Sequence, residues 1–436
     1  MVKTTKTNKP QHSCSVCGRP EMMVDYLVEG PVGYLCNECA DTVHYAVKEA
    51  EAQTLKKEQF ALPSFDDLPK PKEIVAYMDR FVIGQNDAKR SIAVAVYNHY
   101  KRLYSKGLNK QSGKRRANTR AAWDTDDVEL DKSNMIMVGP TGTGKTLLAK
   151  TVARLLKVPF TIVDATVFTQ AGYVGEDVES ILSRLLQVAD YDVTAAERGI
   201  VFIDEVDKLA RAVDNPSITR DVGGEGVQQS LLKLLEGADV NVPPEGGRKH
   251  PEQKMILVNT ENILFICGGA FDGIERKIAK RLNTRVVGYN SVTRGQVNEE
   301  GDALLKYVTP ADLRNYGLIP ELIGRLPVIT YLSTLDAPAL RRILTEPQNA
   351  ISKQYKKLLA MDGVELVIDE EVYDFIVKKA IEFKVGARGL RSIFESIMTE
   401  AMFEAPSGDM DTLHIDLPYA EAHFRSTSLR GLAHAE

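Results

Sequence analysis

The sequence predicts an α/β chain: an open parallel sheet in a large domain, a smaller helix-and-strand domain after it, and a four-cysteine module before it. Three observations carry that expectation. A glycine-rich turn from Gly139 to Thr146 separates an apolar run from a helix-forming run. Short apolar segments follow and alternate with helical stretches, as strands buried in a parallel sheet do. Four cysteines near the start fall in two close pairs.

The glycine-rich turn carries the most chemistry. Met135 to Val138 reads as a buried strand, and Gly139, Pro140, Thr141, Gly142, Thr143, Gly144, Lys145, Thr146 and Leu147 follow it. They satisfy Gly-x-x-x-x-Gly-Lys-[Ser/Thr] in the strand–turn–helix context that a phosphate loop requires. Glycines let the backbone curl until its N–H groups face a triphosphate. The helix begun by Leu147 and Leu148 aims its positive end at the same phosphates. Lys145 is expected to reach the β and γ phosphates and Thr146 to hold magnesium. ATP and Mg2+ are therefore the expected ligands.

Val158 to Val163 reads as a second strand, and Gly199 to Glu205 as a third, apolar until it ends in Asp204 and Glu205. Asp204 is placed to bind magnesium, directly or through water. Glu205 is placed to polarise the attacking water as a general base. Ile256 to Val258 and Ile263 to Cys267 are further strands whose order in the sheet is not readable. Upstream, Ile92, Val96, Tyr97 and Tyr100 share one helix face. After Ser333, Leu340, Ile343 and Leu344 give helical spacing, Val364 to Ile368 a strand, Val372, Ile376 and Ala380 a helix, and Thr412 to Leu417 a last strand.

Cys14, Cys17, Cys36 and Cys39 form Cys-x2-Cys-x18-Cys-x2-Cys, a spacing suited to tetrahedral Zn2+. A segment of ~40 residues buries little core alone, so the metal is structural. With four cysteine ligands there is no open catalytic position. The rival is a pair of disulfides, which would need an oxidising compartment that nothing else suggests. Cys267 lies within Ile263 to Cys267 and reads as core.

Composition bounds the partners. A net charge of −5 over 436 residues does not favour a broad nucleic-acid surface. Lys101 to Arg120 carries eight basic residues, but Ala121 to Asp131 answers with five acids, so a solvated insertion is the simpler reading than a nucleic-acid arm. Met1 to Pro10 is polar and lysine-rich, unlike a secretory signal, and no apolar stretch approaches the ~18 residues of a membrane span. A cytoplasmic location is expected. No serine–histidine–aspartate set or thiol nucleophile is apparent, so no intrinsic protease activity is expected.

Three further features bear on use of the nucleotide. Gly172, Tyr173, Val174 and Gly175 set an aromatic and a branched residue in a glycine-flanked polar loop, suited to gripping an extended chain. Arg325 lies in a turn near the end of the large domain, and Arg388 opens a helix in the small one. Guanidinium groups suit phosphate oxygens, although either could equally form a structural ion pair.

The order of these pieces resembles the ClpX family of AAA+ unfoldases, the ATPase partners of the ClpP peptidase. The likeness runs from Cys14 to about Met402. It rests on the four cysteines, Val82-Ile83-Gly84-Gln85, Gly139 to Thr146, Gly172 to Gly175 and Ile203-Asp204-Glu205. Ser217 to Val222, Gly247-Arg248-Lys249-His250, Gly324-Arg325-Leu326-Pro327 and Gly386-Ala387-Arg388-Gly389 complete it. The resemblance implies a zinc-binding dimerisation and adaptor domain at 10–55, a linker at 56–70, an AAA+ large domain at 71–332, a small domain at 333–420 and a tail at 421–436.

It further implies that Val82 and Ile83 line the adenine pocket and that Arg325 is a finger into the neighbouring subunit's site. Arg388 would sense nucleotide from the small domain. Tyr173 and Val174 would grip substrate in the pore of a homohexamer, and Arg248, Lys249 and His250 would ring its entrance. Tagged or unfolded proteins and adaptors would be the clients. One departure stands out: the family docks on its peptidase through Ile/Leu-Gly-Phe/Leu, and the nearest equivalent here is Val287-Gly288-Tyr289. The rival reading is an AAA+ motor that remodels nucleic acid.

Overall fold

The computed structural model describes residues 12–60, 65–111, 128–169, 176–210, 224–243, 255–284, 301–407 and 410–424. Contacts divide the chain into two units, 1–61 and 62–436.

In the first unit, β1 (Leu27–Gly30) and β2 (Gly33–Cys36) form an antiparallel hairpin, and α1 (Asn37–Gln59) follows directly. Gly18, at φ 75°, takes the left-handed turn that closes the first cysteine pair, donating its N–H to Cys14 O at 2.8 Å.

The second unit opens with α2 (Pro71–Asp79) and α3 (Asn86–Gln111), then β3 (Met135–Val138), α4 (Lys145–Leu156) and β4 (Phe160–Asp164). Next come α5 (Ser180–Val188), α6 (Val193–Ala196), β5 (Ile200–Asp204), α7 (Gly224–Glu236), β6 (Asp239–Val242), β7 (Ile256–Asn259) and β8 (Leu264–Gly269). After α8 (Ile274–Thr284), α9 (Pro310–Tyr316) and α10 (Pro320–Gly324), β9 (Val328–Tyr331) returns to the sheet.

The central sheet has the order β4-β5-β8-β3-β9, with every pairing parallel. The first of its strands in sequence, β3, lies between β8 and β9, so the chain reverses its direction of travel there. The carboxyl end of β3 is the place where such sheets bind ligands. β3 and β8 are buried throughout, which explains their unbroken apolar character; edge strand β4 instead leaves Ile162 exposed. The α3 face of Ile92, Val96 and Tyr100 is fully buried in this core, and Cys267 is buried within β8 as expected.

Two differences from the sequence reading concern strands. Ile256 to Val258 does not enter the main sheet: β7 pairs antiparallel with β6 as a separate ribbon. The fifth strand, β9, carries no clear sequence signal, because it is four residues long, part-buried at three of them and directly follows Pro327.

The remaining elements are α11 (Ala337–Thr345), α12 (Ile351–Met361), β10 (Glu365–Ile368), α13 (Glu370–Glu382), α14 (Gly386–Glu404), β11 (Thr412–Ile415) and α15 (Leu417–His423). β10 and β11 pair in parallel, and Leu340, Ile376, Ile393 and Ile397 centre a second hydrophobic core. The fold is α/β with a smaller helix-and-strand portion behind it.

Candidate functional site

Strand β3 delivers Gly139 to the sheet's carboxyl edge, between the ends of two other strands. Gly139 N–H donates to Gly269 O at 3.2 Å, and Leu332 N–H donates to Val138 O at 2.8 Å. A Cβ at Gly139 would lie 2.6 Å from the Leu332 carbonyl oxygen, so the exit of β9 requires glycine there. Gly142 and Gly144, at φ 77° and 100°, then turn the chain into α4. Beyond them the free N–H groups of the first helical turn face the loop.

Lys145 is almost fully buried under the loop, where its ammonium donates to Gly139 O at 2.5 Å and Pro140 O at 3.0 Å. Burial lowers its pKa, and the charges of Asp204 and Asp207 oppose that shift. Thr146 Oγ1 donates to Asp204 Oδ2 at 3.0 Å, which brings the two expected magnesium ligands together.

Glu205 is the first residue beyond β5 and adopts the left-handed conformation at φ 56°. Its pKa is raised by burial, then by the neighbouring charges of Asp164 and Asp204. A carboxylate held near other acids in strained backbone fits a base that takes a proton during reaction.

The small portion of the unit reaches the loop through the start of α14. A cavity of about 280 Å³ has the phosphate loop, Pro140 to Thr143, on one wall and Val385 to Arg388 on the other. The Cβ position of Gly142 is 3.6 Å from Ala387 N and 3.8 Å from Arg388 N. Two helix N-termini, those of α4 and α14, therefore converge on one loop, with Arg388 at the second. This geometry fits a polyanion. Val82 and Ile83 are buried, and Val82 Cγ1 lies 3.9 Å from the Cβ position of Gly144.

Arg325 lies elsewhere, and neither it nor Glu205 lines the cavity. Its guanidinium is half exposed and pairs with Glu236 Oε1 at 2.7 Å. The pore and docking residues expected at Tyr173, Val174, Arg248, Lys249, His250, Val287, Gly288 and Tyr289 lie outside the described residues. The stem of the first of these loops is described: Thr169 N–H donates to Glu176 O at 3.2 Å and Glu176 N–H to Val167 O at 3.3 Å. Arg184 grips the Glu176 carboxylate at 2.8 and 2.7 Å.

Three residues to which the sequence assigns no role support the site. Asn134, buried ahead of β3, donates to Leu235 O and Arg325 O and accepts from Phe265 N–H. Asp207, buried three residues after Asp204, accepts from Ala270 N–H at 3.1 Å. Gln85 joins the turn beside Val82 to Ser333. A polar residue directly flanking a buried strand was the available signal for Asn134.

In the other unit, the sulphurs of Cys14, Cys17, Cys36 and Cys39 all lie within 4.8 Å of one another, and Cys17 Sγ is 3.7 Å from Cys36 Sγ. A tetrahedron with metal–sulphur bonds of about 2.3 Å has edges of about 3.8 Å. The four cysteines are free thiols, which removes the disulfide alternative. Backbone N–H groups support the sulphurs: Cys36 N–H points at Cys14 Sγ and Cys39 N–H at Cys36 Sγ. Backbone hydrogen bonds lower Cys14 to about 6, whereas hydrogen bonding with Cys36 and Cys17 pushes Cys39 up to about 12. Four sulphurs this crowded fit a divalent cation that takes thiolates.

Three family models match successive parts of the chain. A family model described as an AAA domain of the Cdc48 subfamily matches residues 130–329, and one for the C-terminal, D2-small domain of ClpB matches 335–412. The ClpX C4-type zinc finger model matches 12–49. A relative from Bacteroides fragilis, described as an ATP-dependent Clp protease ATP-binding subunit ClpX, is 59% identical over 98% of this chain and 99% of its own. Proteins of the same description from Porphyromonas gingivalis and Bacteroides thetaiotaomicron are 59% and 58% identical, each covering at least 97% of both chains. The cofactors are Zn2+, which the four close cysteines fit, and ATP with Mg2+, which the AAA domain implies. No helix among the described residues is long and apolar enough to cross a membrane.

Proposed function

The chain belongs to the ClpX family and is an ATPase, and on that premise we propose that it is a cytoplasmic protein unfoldase and translocase. A homohexamer of this chain recognises tagged or unfolded substrates, pulls them through a central pore and delivers them to a ClpP-type peptidase. The observation that carries this reading is the placement of Arg388 at the phosphate loop, on the helix that opens after α13. Any change at the phosphates is then felt by the small domain, 333–420, against the large domain, 71–332.

The roles follow from position. Lys145 and the N-terminus of α4 bind phosphate, and Thr146 and Asp204 hold magnesium, which neutralises phosphate charge. Glu205 draws the proton from the attacking water. Arg325, half exposed on its own subunit, acts as the finger into a neighbour's site once it leaves Glu236. Tyr173 and Val174 grip the substrate, Arg248, Lys249 and His250 attract its carboxylate end, and Val287-Gly288-Tyr289 docks the peptidase. The zinc module dimerises and receives adaptors.

The test is the ATPase rate with an unfolded polypeptide and with DNA. Stimulation by the polypeptide alone is expected; stimulation by DNA alone would favour a nucleic-acid motor instead.

A further inference from the structure

The turn between α2 and α3 is fastened to the segment that leaves β9 for the small domain. Gln85 forms a two-way amide pair with Ser333: its Nε2 donates to Ser333 O at 2.7 Å, and its Oε1 accepts from Ser333 N–H at 3.0 Å. The same Nε2 lies 3.4 Å from Thr143 O in the phosphate loop. One side chain thus touches both the loop and the interdomain junction.

Its surroundings hold it in place. Gln85 sits at φ 57°, a left-handed conformation in the turn directly before α3. Lys89, buried, donates to Val82 O and pairs with Asp79, both at 2.6 Å, which fixes the turn from behind. Two further contacts repeat the fastening: Tyr331 Oη donates to Asp87 Oδ2 at 2.6 Å, and Gln348 N–H donates to Arg80 O at 2.7 Å. Immediately after Ser333, Thr334 and Leu335 line the cavity that Arg388 faces.

We propose that Gln85 is a positioning residue for the ATPase: its amide pair with Ser333 sets where the small domain, and Arg388 with it, stands over the phosphate loop. The residue touches no reacting atom. It acts through Arg388, and the inference rests on the reading of Arg388 as a nucleotide contact.

Gln85→Asn tests this in the full-length chain, because asparagine tolerates the left-handed backbone but withdraws the amide by one methylene. Affinity for a fluorescent ADP analogue, with KM and kcat for ATP, is measured for Gln85→Asn, Arg388→Ala and the double variant. Gln85→Asn is expected to weaken binding and raise KM about tenfold while kcat changes less. The same substitution added to Arg388→Ala is expected to cost under twofold more, as coupled sites do. Gln85→Gly, which also keeps the backbone, replaces the asparagine variant if that one fails to fold. Wild-type affinity in Gln85→Asn beside a weakened Arg388→Ala overturns this inference alone. A full tenfold loss in both backgrounds also overturns it. Wild-type affinity in Arg388→Ala overturns the reading of Arg388 and this inference together.

Discussion

Thr146 Oγ1 donates to Asp204 Oδ2 at 3.0 Å, so the helix after the phosphate loop is tied to the end of β5 through the two residues expected to share magnesium. Asp204→Asn should keep the fold, since an amide can still accept from Thr146. The magnesium concentration for half-maximal ATP hydrolysis should rise by about tenfold or more. A magnesium titration of the ATPase checks this, and a superimposable curve rejects the shared role.

Glu205 combines a left-handed backbone with a carboxylate whose pKa is raised by burial and by Asp164 and Asp204. Glu205→Gln removes the like-charge repulsion and the proton acceptor together. Turnover should fall by about 10²- to 10⁴-fold with ATP affinity retained. The melting temperature without nucleotide or magnesium should be no lower than that of the wild type. Turnover at the wild-type rate would remove Glu205 from the reaction.

Gly139 and Gly84 should respond differently to alanine. At Gly139 the new Cβ meets Leu332 O at 2.6 Å, whereas at Gly84, at φ 68°, nothing lies within 4 Å. Gly139→Ala is expected to destabilise by about 1–3 kcal/mol through overpacking and to weaken ATP binding. Gly84→Ala should cost about 1–2 kcal/mol from backbone strain alone. Denaturant melts of both, each with and without ATP, measure the contrast.

Chelation should act on one unit of the chain. The metal ties the segment before β1 to the end of β2, and few other buried groups hold that unit: Cys14 and Cys36 are its buried apolar side chains among the described residues. Removing Zn2+ should abolish amide-exchange protection over β1 and β2 while leaving ATP binding by the second unit unchanged. Protection that survives complete zinc loss would contradict a structural metal.

The parts of the site written locally in the chain were legible. Gly139 to Thr146 and Asp204-Glu205 each sit at a strand end that announces itself by an unbroken apolar run, and the cysteine pairs declare their metal by spacing. What depends on distant pairing was not. β9 has four residues, three of them only part-buried, and is defined by its register with β3, from Met135 opposite Val328 to Val138 opposite Tyr331. The ribbon of β6 and β7 is similarly short. Asp207 reads as one more acid after Asp204 until its burial and its bond to Ala270 N–H are seen. Gln85 belongs to a motif that could be quoted from the sequence, but its partner Ser333 lies 248 positions away.

Mechanical work on folded protein, driven by ATP hydrolysis, would show itself as loss of a substrate's native structure. The most direct measurement follows native fluorescence of a stable, terminally tagged fluorescent protein, with a trap that captures unfolded chains. The full-length protein and ATP are added without any peptidase. Fluorescence is expected to decay with the wild type and not with Glu205→Gln. Undiminished fluorescence alongside vigorous ATP turnover, in a protein that assembles and binds the tagged substrate, would contradict it.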